Sequence, residues 1–241
     1  MSRYRTVLFD CDSTLTALEG IDRLGADRPE LAALTAAAMS GRMALEDVYR
    51  ERLELVRPGR DAVARLAADY MTHAVEDAGA VIAALSRAGV DVRVVSGGLL
   101  SAVARFAAGL GLAPDAVHAV DVHFDEDGRY AGFDEATPLA RSRGKETLVR
   151  ELAPGLARPI LFVGDGVTDL EAAPAVDLFV AYAGVVDRPA VSGAAPVVIR
   201  SASLAPVLPL VLDGSEVAPE DRALHAKGTR LLATDVIDRR R

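Results

Sequence analysis

Short apolar runs that end in acidic or small polar residues recur along the chain, and they predict buried strands. The runs span residues 6–9, 91–95, 159–163, 178–180 and 196–199. The first three are followed by Asp10, by Ser96 and, after Gly164, by Asp165. Runs this short and this rich in Val, Ile, Leu and Phe are typical of strands covered on both faces of a parallel sheet.

Helix-length segments separate these runs. They cover residues 77–88, 99–110 and 145–152, and Gly89 stands where the first of them needs a C-terminal cap. Strands that alternate with helices predict an α/β fold with a doubly wound, mostly parallel sheet. Because such sheets bind ligands at the carboxyl ends of their strands, Asp10, Ser96 and Asp165 are expected to meet at one edge.

Residues 16–72 interrupt this alternation, since they predict helices only, at 29–39, 45–55 and 61–71. A helical insertion directly after the first strand indicates a cap domain over the active edge of the sheet. Outside this insertion, Asp127-Gly128 predicts the turn of a β-hairpin over residues 124–130. The predicted organisation is an α/β core of residues 1–15 and 73–212, a helical cap of residues 16–72 and a C-terminal helical extension of residues 213–241.

Charge and composition exclude several classes of ligand and site. The chain has 27 Lys+Arg against 35 Asp+Glu, a formal net charge of −8, which argues against nucleic acid as the main ligand. One cysteine, Cys11, excludes an intramolecular disulfide and a cysteine-based zinc cluster. Neither a secretory signal nor a stretch long enough to cross a membrane is visible, so we expect a cytoplasmic protein with no membrane partner.

Four segments carry candidate chemistry. Asp10 and Asp12 follow the first strand, where one carboxylate can attack while its neighbour handles a proton; an isolated Asp-x-Asp is otherwise an ordinary turn. Asp165 and Asp169 follow the third strand. Four carboxylates at adjacent strand ends repel one another unless a cation such as Mg²⁺ neutralises them, although this glycine-containing turn is also compatible with Thr168 capping a helix.

Two further segments point to an anion. Ser96 and Gly97 stand between a strand end and a helix start, where a hydroxyl and backbone N–H groups favour a bound anion, or simply form a strand-to-helix turn. Lys145 opens a predicted helix, but the glycine spacing is not that of a Walker A loop, so a lone surface lysine is the plainer interpretation. Of the 27 basic residues, Lys145 and Lys227 are the lysines.

Together the four segments occur in the order Asp-x-Asp, Ser, Lys, Gly-Asp-x-x-x-Asp, and in that order the chain resembles the haloacid dehalogenase-like superfamily. The resemblance extends to its phosphoserine phosphatase family over roughly residues 5–212. Ser40 stands where that family often has glycine, and residues 213–241 have no recognised counterpart. The segments that carry the likeness are residues 10–15, 19–22, 38–41, 51–53, 130–134 and 164–172.

The resemblance implies a role for each motif residue. Asp10 is the nucleophile and Asp12 the general acid and base. A Mg²⁺ ion is held by Asp10, Asp12 (through its carbonyl), Asp165 and Asp169, the last either directly or in the second layer. The phosphoryl group is held by Ser96, Gly97 and Lys145. A cap of this kind determines which substrate binds, and the resemblance implies a small phosphorylated amino acid. Arg52 would bind its carboxylate and Glu19 its ammonium group. The other substrate-binding residues implied are Met39, Gly41, Gly98 and Thr168.

Other interpretations stay open from the sequence. The same chemistry could act on phosphohomoserine, or transfer the phosphoryl group to homoserine or another alcohol, because one methylene changes affinity by only about 1–3 kcal/mol. A non-catalytic phospho-ligand module on the same fold is a second alternative. A dinucleotide-binding oxidoreductase is disfavoured because Asp169 stands where the fingerprint needs its third glycine. Glu19 and Arg52 are also compatible with positions on a solvated helix surface. For the oligomeric state, we expect a monomer or a homodimer.

Overall fold

Six short strands form one parallel sheet, and two more form a hairpin. The structure is a computed structural model that describes residues 2–28, 30, 31, 33, 34, 36 and 45–234. The strands are β1 (Thr6–Phe9), β2 (Asp91–Leu99), β3 (Val117–Val120), β4 (Val122–Phe124), β5 (Tyr130–Phe133), β6 (Ile160–Gly164), β7 (Leu178–Tyr182) and β8 (Val197–Ile199). The sheet order is β3-β2-β1-β6-β7-β8, and β4 pairs with β5 in the antiparallel hairpin.

Helices cover the sheet and fill the segment that follows β1. In the part of the chain that is described, they are α1 (Gly20–Leu24), α2 (Leu45–Val56), α3 (Arg60–Thr72), α4 (Ala78–Arg87), α5 (Leu100–Gly109), α6 (Gly144–Leu152), α7 (Val167–Leu170), α8 (Pro189–Ser192), α9 (Val207–Val211) and α10 (Arg222–Thr234). None of the helices within the described ranges is both long enough and apolar enough to cross a bilayer.

The central strand is β1, and its neighbours fix where a ligand can bind. All four of its residues are buried, and it pairs in parallel with β2 on one side and β6 on the other. Burying each apolar side chain of such a strand contributes about 1.5–3 kcal/mol. Since the strand order proceeds outward in opposite directions from β1, the loops after β1 and β6 diverge and leave a crevice at their carboxyl ends.

The predicted strands and core helices are confirmed, with small shifts at their ends. The helices predicted at 77–88, 99–110 and 145–152 are α4, α5 and α6, and Gly89 adopts the left-handed conformation (φ +76°) that ends α4. Strand β3 was not predicted because its four residues include His118 and Ala119. Helix α1 was not predicted either, since it is only five residues long. Of the helix predicted at 29–39, the described residues 30, 31, 33, 34 and 36 are helical.

The described elements between β1 and α4 are all helical, and the chain enters and leaves this segment through two paired linkers. The amide of Val75 donates to the Leu15 carbonyl at 2.9 Å, and the amide of Ala17 donates to the His73 carbonyl at 2.9 Å. An isolated antiparallel bridge joins the same two linkers. We refer to residues 20–72 as the inserted segment. Its helix α3 packs against α5, where the rings of Tyr70 and Phe106 meet edge to face at 5.6 Å.

The tail after residue 212 packs on the sheet domain through α10. Gly228 lies directly against the carbonyl of Ala205, since a Cβ on Gly228 would come within 2.1 Å of that oxygen. Near the start of the helix, the guanidinium of Arg87 forms an ion pair with Asp221. The ammonium of Lys227 contacts the carboxylates of two residues that precede α4. The tail therefore adds a further helix on the face formed by α9 and α4.

Candidate active site

The turn after β1 brings two aspartates to one pocket. Asp10 still lies in the sheet, because its amide donates to the Val163 carbonyl at 2.9 Å. The chain then turns sharply, with the amides of residues 14–16 all donating to the carbonyl of Cys11 at 2.8–3.3 Å. Asp10 and Asp12 consequently line the same pocket, as their spacing predicted.

The loop after β6 places two more carboxylates beside them. Asp169 is fully buried, and its Oδ2 accepts the amide of Gly166 at 2.9 Å. Gly164 makes this approach possible, since a Cβ there would come within 2.3 Å of the Asp169 Cγ. Asp165 is also buried, and its Oδ1 accepts the hydroxyl of Thr14 at 3.2 Å. The loops after β1 and β6 are thus joined by a side-chain contact between strand ends.

Lys145 brings a positive charge into this cluster. Its Nζ lies 2.7 Å from Asp10 Oδ1 and 2.6 Å from Asp169 Oδ1, and the residue is only 5% exposed. Gly144 seats the helix start tightly against the preceding turn, because a Cβ there would come within 1.8 Å of the Pro138 carbonyl oxygen. The interpretation of Lys145 as a lone surface lysine is therefore wrong.

A bulge in β2 supplies the fourth side of the site. Three residues of β2, 96–98, stand opposite one residue of β3, and a bulge of this kind re-aims side chains away from the regular ladder. The hydroxyl of Ser96 is fully buried and accepts the amide of Gly98 at 2.9 Å. Gly98 is close-packed, since a Cβ there would come within 2.9 Å of a Val103 methyl group.

The carboxylates fit a hard divalent cation. Oxygens of Asp10, Asp165 and Asp169 lie within 4.8 Å of one another, and an all-oxygen set of this kind suits Mg²⁺. Asp165 Oδ2 is buried and makes no hydrogen bond of good geometry with any described residue, although a guanidinium nitrogen of Arg188 lies 3.0 Å away. Both oxygens of Asp169 are already engaged by Lys145 and Gly166. Asp10 and Asp165 therefore offer the freer oxygens.

The excess of negative charge changes how these groups titrate. Burial and the nearby Asp169 carboxylate raise the pKa of Asp10 to about 8, against the opposing effect of the Lys145 ammonium. Burial and the charge of Glu19 raise the pKa of Asp165 well above its ordinary value. Burial also raises the pKa of Asp12. A bound cation would remove much of this cost, since it favours the ionised form of every carboxylate near it.

Two further charged residues, Glu19 and Arg52, line the same pocket. Arg52 is 4% exposed and donates to Asp22 Oδ1 at 3.1 Å. Glu19 pairs with Arg188 at 3.1 Å, and burial followed by the charge of Asp12 raises its pKa to about 7. The interpretation of Arg52 and Glu19 as solvated helix surface is therefore wrong.

A single pocket collects most of the predicted site residues. Met39 and Gly41 lie outside the described residues, and Asp165 and Asp169 are buried and are not among the lining residues. Thr168 faces the pocket from within α7, which begins at Val167, so the alternative in which Thr168 caps that helix is wrong. The lining residues are Asp10, Asp12, Glu19, Ile21, Tyr49, Arg52, Ser96, Gly97, Gly98, Leu139, Arg141, Lys145 and Thr168.

Three polar residues of the site were not predicted from the sequence. Arg188 follows β7 and bridges Glu19 and Asp165, Tyr49 lines the pocket from α2, and Arg141 lines it from the turn before α6. The position of Arg188 after a predicted strand was the available signal. Tyr49 and Arg141 belong to no motif.

Comparisons with known proteins agree with this geometry. The family model for haloacid dehalogenase-like hydrolases matches residues 4–177. Phosphoserine phosphatase of Mus musculus is 37% identical over 186 residues, which cover 76% of this chain and 83% of that protein. The solved structure of a phospho-aspartyl intermediate analogue of phosphoserine phosphatase has a TM-score of 0.75 and 26% identity, over 87% of this chain and 100% of that one.

A substrate-bound phosphoserine phosphatase complex is similar as well, with a TM-score of 0.75 and 26% identity over 86% of this chain and 98% of that one. The residues matched by the family model include the strands whose carboxyl ends carry Asp10, Ser96 and Asp165. The chain belongs to the haloacid dehalogenase-like hydrolases and, within them, to the phosphoserine phosphatase family.

Proposed function

We propose that this protein is a Mg²⁺-dependent phosphoserine phosphatase that hydrolyses O-phosphoserine to serine and phosphate, as the last step of serine formation in the cytoplasm. The observation that carries the proposal is the arrangement of charge in one pocket. Lys145 bridges Asp10 and Asp169 at the sheet edge, and Glu19 and Arg52 line the same pocket. This pattern suits a ligand with a phosphate at one end and an amino acid at the other.

In the first step, an oxygen of the Asp10 carboxylate attacks phosphorus, and the bond from phosphorus to the serine oxygen breaks. Asp12 gives its proton to that oxygen, so serine leaves as a neutral alcohol and Asp10 carries the phosphoryl group. The raised pKa of Asp12 suits this role, because an acid must hold its proton near neutral pH.

In the second step, water attacks the phosphorus of the aspartyl phosphate, and Asp12, now ionised, takes the proton from that water. The bond between phosphorus and Asp10 breaks, which releases phosphate and restores the carboxylate. In both steps the Lys145 ammonium, the Ser96 hydroxyl and the Gly97 amide would hold the phosphoryl oxygens.

The metal would be held by Asp10, Asp165 and the Asp12 carbonyl, with Asp169 in a second layer behind these ligands. Mg²⁺ bound there would neutralise charge between the anionic nucleophile and the phosphate. Asp169 itself acts by orienting Lys145, because each of its oxygens already accepts a hydrogen bond.

At the amino-acid end, Arg52 is suited to the substrate carboxylate because its Nε is buried without a hydrogen-bond partner among the described residues. A planar guanidinium can offer two parallel donors to a carboxylate. Glu19 is suited to the α-ammonium group. Residues 16–72 would act as the cap that determines specificity, on a core of residues 1–15 and 73–212, in a monomer or homodimer.

The proposal is tested by phosphate release from O-phosphoserine with Mg²⁺ and with EDTA. The panel includes phosphohomoserine, phosphoethanolamine, which lacks the carboxylate, and simple sugar and aryl phosphates, with homoserine added as an acceptor in a separate arm. We expect O-phosphoserine to have the highest kcat/KM and EDTA to abolish turnover. Hydrolysis of O-phosphoserine no faster than that of the sugar phosphates would contradict the proposal.

A further inference from the structure

The inserted segment reaches the phosphate end of the pocket through one phenol. Tyr49 lies on α2, is only 2% exposed and lines the pocket. Its hydroxyl donates to the carbonyl of Gly97 at 2.9 Å. The contact joins a helix of the inserted segment to the β2 bulge, 48 residues away along the chain.

This hydrogen bond completes the fixing of one peptide unit. The carbonyl of Gly97 and the amide of Gly98 belong to the same planar group. Tyr49 holds that group by its oxygen, and the Ser96 hydroxyl holds it by its nitrogen, at 2.9 Å. Two consecutive glycines have wide conformational freedom. Contacts at both ends of this peptide restrict rotation about the backbone bonds of Gly97. The preceding peptide unit, which carries the Gly97 N–H expected to face the phosphate, is joined to it at the Gly97 Cα.

The aromatic ring of Tyr49 has an anchor of its own. It meets the ring of Phe133 edge to face at 5.3 Å. The next residue on α2, Arg50, forms an ion pair with Glu135 at 2.7 Å, just beyond β5. Because these contacts do not involve the hydroxyl, removing that one oxygen should leave the ring and α2 in place.

We propose that Tyr49 is a positioning residue that holds the β2 bulge, residues 96–98, in shape. Packing of the inserted segment against the core thereby completes the phosphate site as well as the amino-acid site. The inference rests on the proposed function, because that function assigns the β2 bulge to binding of the phosphoryl group. Tyr49 acts through Gly97 and does not itself touch the reacting atoms.

The test is Tyr49→Phe, with inorganic phosphate as the probe. Loss of one neutral hydrogen bond corresponds to roughly a 3- to 10-fold effect. We expect phosphate to bind the Mg²⁺-loaded variant about 3- to 10-fold more weakly by calorimetric titration. Its inhibition constant against O-phosphoserine should rise by the same factor, and kcat/KM should fall by about tenfold. Affinity for serine, which has no phosphate, should stay within about twofold of wild type.

Tyr182→Phe is the matched control. Tyr182 also buries its ring and donates to a carbonyl, that of Ala202, at 2.8 Å, but it does not line the pocket. Both variants lose a phenol-to-carbonyl hydrogen bond of the same kind, so both should unfold at slightly lower temperature. Only Tyr49→Phe should weaken phosphate binding.

The outcomes separate the two proposals. If Tyr49→Phe binds phosphate like wild type, or loses serine and phosphate affinity equally, the positioning role is overturned while the phosphatase assignment stands. If both variants weaken phosphate binding to the same degree, the effect is general loosening and the inference also falls. If wild-type protein neither binds phosphate nor hydrolyses O-phosphoserine, the proposed function fails and this inference fails with it.

Discussion

The two lysines of the chain make the same kind of contact in opposite surroundings. Lys145 bridges Asp10 and Asp169 at 2.7 and 2.6 Å and is almost fully buried. On α10, Lys227 bridges Glu76 and Asp77 at 2.5 and 2.6 Å, with its side chain 33% exposed. Geometry alone does not distinguish them, so burial decides what each one does.

An exposed ion pair contributes about 0–1 kcal/mol, because water screens it and two side chains lose freedom. A buried pair is different: desolvating each charge costs several kcal/mol, and removing one partner leaves the other uncompensated. The cluster around Lys145 holds more carboxylates than cations, which is a poor way to stabilise a fold. The proposed catalytic role accounts for the cluster around Lys145, whereas the contacts of Lys227 dock the tail on the sheet domain.

The largest effect is expected at the nucleophile. Asp10→Asn should reduce kcat for O-phosphoserine by at least about a thousandfold, because an amide cannot attack phosphorus. The free energy of unfolding should not fall, since the change removes a buried carboxylate from a site that already has too many. Activity and a thermal melt of the same preparation check both parts. A large loss of stability would indicate that Asp10 holds the fold together.

Lys145→Arg should keep the fold and lose most of the activity, by roughly 100-fold in kcat/KM. A planar guanidinium cannot place one compact ammonium between Asp10 and Asp169 and the phosphoryl oxygens. The matched comparison is Lys227→Arg, which should change neither activity nor stability measurably. Near-wild-type turnover in Lys145→Arg would refute the assignment of Lys145 to the phosphate.

The pH dependence of stability gives a third, intermediate effect. The folded, metal-free protein holds protons on Asp10 and Glu19 up to pKa values of about 8 and 7, whereas the unfolded chain releases them near pH 4. The folded state therefore binds more protons between these limits, and the free energy of unfolding falls as pH rises from 5 to 8. The slope is at most about 1.4 kcal/mol per pH unit for each proton.

Mg²⁺ should reverse this trend, because it competes with protons for the same oxygens and its stabilisation grows as pH rises. Thermal melts at pH 5, 6, 7 and 8, with EDTA and with Mg²⁺, measure both slopes. Equal slopes in the two conditions would contradict a metal at these carboxylates.

The smallest effect is expected at the exposed lysine. Lys227→Met should lower the free energy of unfolding by no more than about 1 kcal/mol and leave kcat/KM for O-phosphoserine unchanged. Denaturant unfolding followed by circular dichroism measures the first, and phosphate release measures the second. A tenfold loss of activity would show that docking of α10 matters to the site, and the contrast between the two lysines would then fail.

The sequence predicted the sheet edge well because strand ends and acidic residues coincide there. Asp10, Ser96 and Asp165 follow apolar runs, and parallel pairing brings such positions together whatever the details of the loops. Lys145 needed the order of the motifs, since one lysine at a helix start carries no signal by itself. Its burial between two carboxylates became visible only in three dimensions.

The rest of the site depends on contacts that no local pattern encodes. Arg188 lies 169 residues from Glu19 along the chain, and its pairing results from the fold bringing the loop after β7 over the pocket. Tyr49 reads in the sequence as one more apolar position of an amphipathic helix, and nothing there marks its hydroxyl. The strand β3 was missed because an edge strand of four residues needs little apolar character to pair with β2.

The central claim is that Asp10 takes the phosphoryl group from O-phosphoserine, and trapping that group tests it most directly. Mg²⁺-loaded protein is mixed with O-phosphoserine, quenched in acid during turnover, reduced with borohydride and examined by peptide mass spectrometry. Because borohydride converts a phosphorylated aspartate to homoserine, we predict homoserine at position 10 in wild type and none without substrate. Modification at another residue, or none at all during active turnover, would contradict the account.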